Sequence, residues 1–335
     1  MKKVFIYFFI TLLLLVIGSY YYLYIFWKQP QKRLNTNSIT LEINPQTPTN
    51  EVLKVLKQKK IIENIFLFKL AKKIFSPSKS IKAGIYEFNP NLSLEEIYNL
   101  LCSGKEVLFP VTIPEGLTWW QTAHILEKKG FVSFEEFKRA VFDAELKNKF
   151  HIPGPSLEGY LFPSTYFLSK TKQYTAKELV LLLLNTFKQK TAHLFPDFSP
   201  DQIQKTVILA SLIEKETSLP EEKPLIAGVF LNRLKKNMLL QCDPTVIYGL
   251  GLDFDGNLKK SHLKDKTNPY NTYVYKGLPP GPICSPGLDS LKAALKPKKH
   301  SYLYFVAKGD GSHFFSETLK KHTSAVLKFQ LKGRR

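Results

Sequence analysis

The chain has 335 residues, enough for about two globular domains at roughly 150 residues each. Its 44% apolar content excludes a disordered polymer, and a formal charge of +20 points to an anionic partner such as nucleic acid, a membrane surface or an acidic wall. Three cysteines, Cys102, Cys242 and Cys284, form no C-x-x-C, and seven dispersed histidines form no H-E-x-x-H; this excludes a disulfide framework and argues against any metal site, leaving only a lone Cys242–Cys284 bridge open.

Residues 4–26 form an uncharged run of 23 residues. As a helix rising ~1.5 Å per residue, such a run crosses a hydrocarbon core of ~30 Å. Tyr20, Tyr21, Tyr22, Tyr24 and Trp27 crowd its far end, as an interfacial aromatic belt would. A cleavable leader has an apolar core of ~7–15 residues followed by an A-x-A-like site. Here aromatic sequence resumes directly after Gly18-Ser19, so residues 1–27 are expected to be a retained transmembrane anchor. Lys2 and Lys3 on one flank and Lys28, Lys32 and Arg33 on the other leave its orientation undecided. Residues 28–38, with Pro30, Asn35 and Asn37, read as a linker.

Residues 39–109 read as a small α+β module. ITLEI (39–43) alternates like a strand. Residues 51–59 repeat Val52, Leu53 and Leu56 at helical spacing, with Thr49 and Asn50 as candidate caps. An apolar helix is expected over 64–75 and a strand over 83–88. Ser93 and Glu96 then form a capping box before a helix that Gly104 ends.

Residues 110–335 read as a larger α+β domain. VLFPVTI (107–113) suggests a strand. Thr118 with Gln121 and Ser133 with Glu136 open two helices. Residues 140–170 look irregular, 174–195 helical, 199–236 like two helices, 239–290 turn-rich, and 302–307 like a strand.

Ser199-Pro200-Asp201-Gln202 is a strong helix start, and the helix it opens reaches Thr217 with an apolar middle, TVILASLI. At its end stand Glu214 and Glu216, about 200° apart around the axis at roughly 100° per residue, so they do not act as a pair. A carboxylate there faces the negative end of the helix dipole, and burial adds a desolvation penalty. Both favour the protonated form, as a general acid near neutral pH requires. The plain structural alternative is a Glu paired with Lys215 or Lys223.

The string ILASLIEKET (208–217) resembles the signature helix of the endolytic murein transglycosylase, or YceG-like, family. In the family's order follow GVFLNRLKKNMLLQCDPTVIYGLG (228–251), NPYNTYVYKGLPPGPICSPGLDSLKAAL (268–295) and YLYFVAKGDGSHFF (302–315). KAGIYEF (82–88), PEGLTWWQTA (114–123) and LEGYLFPSTY (157–166) are similar upstream.

The resemblance implies an inner-membrane, single-pass protein with a LysM-like, glycan-binding module at 39–109 and a periplasmic catalytic domain at 110–335. It implies a lytic transglycosylase that cuts the MurNAc–GlcNAc β-1,4 bond inside glycan strands and leaves 1,6-anhydro-MurNAc ends. Such cuts would terminate or trim nascent strands. The second Glu of E-K-E-T, Glu216, would be the acid and base. Thr217, Gln241, Asp243, Thr245, Tyr248, Tyr270, Asn271, Thr272 and Tyr273 are the candidate substrate contacts. Neither cofactor nor metal is implied. Peptidoglycan strands and the inner membrane are the expected partners, with peptidoglycan synthases an open further one.

Alternatives remain at this point. A non-catalytic wall-binding scaffold would not need Glu216. A hydrolase would use Asp243, before Pro244, as a second carboxylate. A thiol acyltransferase would pair Cys242 or Cys284 with a histidine such as His313. A nucleic-acid binder fits the charge but not an anchor, and lysines such as Lys57, Lys59 and Lys60 are scattered over helix surfaces.

Overall fold

The computed structural model describes residues 2–30, 38–77 and 79–331, so most of the expected linker, 31–37, lies outside the described residues. The architecture is α+β, with one long apolar helix at the N-terminus and two compact units: Met1–Pro110 with Phe167–Gln173, and Val111–Tyr166 with Tyr174–Arg335.

In the first unit, α1 (Lys2–Lys28) carries the apolar run and is exposed along most of its length. Its last turns are not. Leu23 and Trp27 are buried, with the Trp27 ring 5.6 Å from Phe68 and 5.9 Å from Tyr98. Trp27 is therefore a core residue rather than part of an interfacial belt, because the helices that carry Phe68 and Tyr98 close over it. β1 (Ile39–Ile43) pairs antiparallel with β2 (Gly84–Phe88), Ile39 opposite Phe88 and Ile43 opposite Gly84. Two helices, α2 (Thr49–Gln58) and α3 (Ile65–Phe75), fill the connection between them, and α4 (Leu94–Ser103) follows. Period-two and period-3.6 patterns converge on one core of Leu41, Ile43, Leu53, Leu56, Phe68, Phe88 and Leu101.

The caps behave unevenly. Asn64 accepts from the Leu67 N–H at 3.1 Å, and Ser93 with Glu96 forms the full capping box. Gly104 takes the left-handed φ of 71° that ends α4. Thr49 and Asn50, however, fall inside the first turn of α2. Pro48 holds the cap position with no side-chain bond, its carbonyl accepting from the Glu51 and Val52 N–H groups.

The second unit starts at Val111, within β3 (Phe109–Ile113), and includes the first residues of β4 (Ser164–Leu168); the Thr112 and Thr165 hydroxyls bond at 2.9 Å. Around them lie α5 (Trp119–Lys128), α6 (Phe134–Val141), α7 (Ala144–Lys149) and α8 (Ala176–Thr191), three of them opened by the capping boxes of Thr118, Ser133 and Thr175. At the centre α9 (Pro200–Glu216) packs against α10 (Lys223–Lys235), α11 (Asp243–Leu250) and α12 (Leu288–Leu295). A hairpin of β5 (Tyr304–Ala307) and β6 (His313–Ser316) and the helix α13 (Leu319–Val326) finish the unit.

Residues 140–170 are more ordered than their sequence suggests, holding α7 and β4, and the turn-rich 239–290 contains α11 and part of α12. These elements have six, five, eight and eight residues. Segments of one or two turns show too few repeats for a periodicity to emerge.

The core of α9 is the load the unit is built on: Ile208, Leu209, Leu212 and Ile213 meet Ile226 and Phe230 of α10 and Ala293 of α12. Leu212→Ala removes a fully buried side chain. It is expected to cost about 2–5 kcal/mol, read as a lowered midpoint in denaturant unfolding.

Candidate active site

The N-terminus of α9 is fastened by Ser199, Pro200 and Gln202 in a capping box, and every residue from 207 to 213 is buried. Sequences from three distant motifs close round it. Gly159, at φ +85°, lies so near Pro282 and Val207 that a Cβ there would stand 2.5 Å from Pro282 and 2.8 Å from Val207. The Ser211 hydroxyl accepts from the Ile283 N–H at 3.0 Å, and Ser285 exchanges backbone bonds with Gly116 and Leu117. The LEGY, PEGL and PPGPICSPG strings therefore build the seat of one helix.

At the helix end the two carboxylates diverge, as their angular separation requires. Glu214 pairs with the buried Lys223 ammonium at 3.2 Å and accepts from the Ser290 hydroxyl at 2.6 Å and the Gly287 N–H at 3.1 Å. A buried ion pair with extra donors on its oxygens is a fully satisfied structural joint. Glu216 points elsewhere, into a cleft of about 520 Å³. Arg233, Gln241, Asp243, Tyr273, His313 and His322 give the cleft its polar lining; Phe230, Leu240 and Phe305 give an apolar wall.

Glu216 Oε1 accepts a hydrogen bond from the Cys242 thiol at 2.9 Å. Burial raises the Glu216 pKa above the ordinary carboxylate value; the thiol bond opposes this, Asp243 adds to it, and His313 and Arg233 pull it back. The net shift is upward, towards the acid form. Burial drives the Cys242 and Cys284 thiols well above their usual range. All three cysteines are free, and these two remain protonated near neutral pH, which removes the thiolate an acyltransferase would need.

Cys242 is held by the NPYNTY segment. Its N–H donates to the Thr272 hydroxyl at 3.0 Å, and its carbonyl accepts from the Thr245 hydroxyl at 2.7 Å. Asn271 donates to the carbonyls of Asp265 at 2.8 Å and His262 at 3.1 Å. Thr245, Asn271 and Thr272 are buried, so they face the interior behind the cleft wall. Gln241, Asp243 and Tyr273 line the cleft itself, Tyr273 donating to Asp243 at 2.6 Å. Tyr248 and Tyr270 do not line it: Tyr248 lies 5.1 Å from the Trp120 ring and 4.8 Å from Tyr270.

Thr217 is buried beside a group that sequence reasoning missed. Its hydroxyl reaches Glu222 at 3.5 Å, and Glu222 accepts from the backbone N–H of His313 at 2.8 Å while its other oxygen lies 2.6 Å from His313 Nδ1. This carboxylate–imidazole pair joins residues 91 positions apart and brings His313 to the cleft. Arg233 was missed as well. Its guanidinium donates to the carbonyls of Leu303 at 2.7 Å and Leu240 at 2.8 Å, and neighbouring Asn232 donates to those of His300 and Tyr302. The N-R pair of the FLNRLKK string was the available signal, but its partners are carbonyls, which no sequence pattern reveals.

Glu158, of the LEGY string, is a buried fastener. It accepts from the Trp119 N–H at 2.9 Å, at the start of α5, and burial pushes its pKa up to about 8.

The cleft thus holds one carboxylate, Glu216, whose pKa is raised, with Asp243 beside it, an arrangement that can carry acid–base chemistry. The YceG-like family model matches residues 41–328. An endolytic murein transglycosylase of Bacillus subtilis is 31% identical over 319 residues, 90% of this chain and 87% of that protein. One of Streptococcus pneumoniae is 27% identical, covering 97% of this chain but 65% of its own length. The crystal structure of a YceG-like protein from Listeria monocytogenes aligns with a TM-score of 0.59 and 32% identity over 87% of this chain and 99% of that one. The chain belongs to the YceG-like family, the family of endolytic murein transglycosylases, and is an enzyme of that class.

Two pH effects follow. If Glu216 is the acid of the reaction, its ionisation ends catalysis and its pKa sets the alkaline limb of the activity profile. Asp243→Asn removes a negative neighbour, lowers that pKa and is expected to move the limb to lower pH in kcat/KM measurements; an unmoved limb would separate Asp243 from Glu216. Glu158 binds its proton more tightly in the folded chain than at the ordinary value of 4.5. Its contribution to stability is full below that value and is lost as pH rises through about 8. Thermal melts of Glu158→Gln should decline less over that window than those of the parent chain.

Proposed function

We propose that this chain is a membrane-anchored enzyme that cleaves peptidoglycan glycan strands internally, with Glu216 as the single acid and base. The observation that carries this reading is the position of Glu216: half-buried at the negative end of α9, lining a cleft, with its pKa raised. Protonated Glu216 gives its proton to the glycosidic oxygen as the bond from MurNAc C1 to GlcNAc O4 breaks. The carboxylate so formed takes the proton of the C6 hydroxyl of the same MurNAc, whose oxygen bonds to C1. A 1,6-anhydro ring closes, no water is consumed, and Glu216 ends protonated as it began.

The remaining groups have supporting roles in this scheme. Gln241, Asp243 and Tyr273 offer donors and acceptors for sugar hydroxyl and N-acetyl groups, and Phe305 an apolar ring face. Thr217, Thr245 and Thr272 act at one remove by fixing Glu222 and Cys242, Asn271 by tying the carbonyls of His262 and Asp265, and Tyr248 and Tyr270 by packing on each other away from the cleft. Glu222 occupies Nδ1 of His313 and orients the ring, leaving Nε2 as the nitrogen that can meet substrate.

The anchor reading rests on the length and composition of α1. The family resemblance supports placing the catalytic unit on the outer, wall side of the cytoplasmic membrane, where peptidoglycan synthases would suit as neighbours. The β1–α2–α3–β2 arrangement supports a LysM-like, glycan-binding role for residues 39–109.

A second reading, hydrolysis, is favoured by one observation: the Asp243 carboxylate lies on the same cleft. Digestion of purified sacculi separates the two. Transglycosylation gives anhydro ends, lighter by one water than the reducing ends a hydrolase leaves. Glu216→Gln is expected to lower the rate by at least about 10²-fold while circular dichroism and melting stay near parental values. Parental activity in that variant would overturn the assignment.

A further inference from the structure

α3 has an outward face that its own unit does not cover. Phe66, Leu70 and Ile74, spaced at i, i+4 and i+8, are 72%, 38% and 46% exposed. Lys69 and Lys73 flank the stripe, while Phe68 and Ala71 on the opposite side are buried in the core. The stripe also borders a groove of about 960 Å³ whose two walls are α3, through Leu67, Leu70 and Ile74, and α1, through residues between Thr11 and Leu23.

The height of that groove identifies its occupant. The α1 residues that line it lie inside the uncharged run 4–26, the part that would stand in hydrocarbon. The two helices are locked together at one end, with Tyr20 and Tyr24 edge-on to Phe75 at 5.6 and 6.0 Å and Trp27 against Phe68. If α1 crosses a bilayer, α3 is carried to its boundary, with Leu70 and Ile74 sharing a groove with α1 residues that stand in hydrocarbon and the exposed Lys69 and Lys73 beside them. Apolar side chains on one face with flanking lysines are the pattern of a helix lying in the interface, ~5–10 Å deep.

We propose that α3 is an interfacial helix: Phe66, Leu70 and Ile74 enter the leaflet nearest the folded units, phospholipid chains fill the groove beside α1, and Lys69 and Lys73 meet lipid phosphates. The first unit then rests on the membrane surface rather than swinging from a single tether. This rests on the anchor reading above, and the test keeps the two apart.

The full chain is reconstituted in nanodiscs of phosphatidylcholine and phosphatidylglycerol, with and without brominated acyl chains. Tryptophan reporters are introduced as Phe66→Trp, Ile10→Trp and Glu42→Trp, and the signal of the parent chain is subtracted. Bromolipid is expected to quench the added emission about twofold at positions 66 and 10 and to leave position 42 unchanged. Quenching at 10 but not at 66 overturns the proposal and leaves the anchor intact. Quenching at neither removes the anchor reading and this one with it. An unquenched Phe66→Trp reporter that is also shielded from aqueous acrylamide reveals a protein cover, such as a second copy, and overturns the lipid assignment.

Discussion

The site depends on one electrostatic conflict: a carboxylate placed where water is scarce and the helix dipole opposes negative charge. Glu216 ends a helix whose residues 207–213 are all buried, and burial at the negative end of the dipole favours its neutral form. A Lys or Arg at the same position would stabilise the helix better. The chain accepts the less stable choice at 216 and answers it nearby, with the Cys242 thiol donating to one oxygen and Arg233 and His313 in the same cleft.

The surroundings of that carboxylate are built from polar bonds that leave few loose ends. Glu214, two residues earlier on the same helix, shows the opposite outcome for the same side chain: one ammonium and two further donors fill it, and it works as a joint. Glu158 fastens the start of α5, and Glu222 fastens His313. Four buried or half-buried glutamates thus share one unit, and their partners divide them into three ties and one, Glu216, that faces the cleft with a single thiol donor. Thr245 and Thr272 similarly fix the strand of chain that presents Cys242.

Much of this was legible beforehand. The capping boxes at Ser93, Thr118, Ser133 and Ser199 are local, because cap and third helical residue bond within one turn, and the structure contains each of them. The divergence of Glu214 and Glu216 follows from helical pitch alone. Other features had no local signature. α7 and α11 are too short to show a period, and Trp27 looked like a membrane-interface residue until α3 and α4 enclosed it.

The amino-acid order by itself determined the apolar span, the helix starts marked by capping boxes, the α+β class and the family motifs, since these depend on side chains a few residues apart or on composition. Only the tertiary structure decided which candidates share the cleft: Gln241, Asp243 and Tyr273 reach it, Thr245, Asn271 and Thr272 stand behind it, and His313 arrives from 91 residues beyond Glu222. The physical reason is that burial and charge pairing are set by whatever packs opposite. A glutamate becomes an acid or a tie according to neighbours that the linear chain does not place beside it.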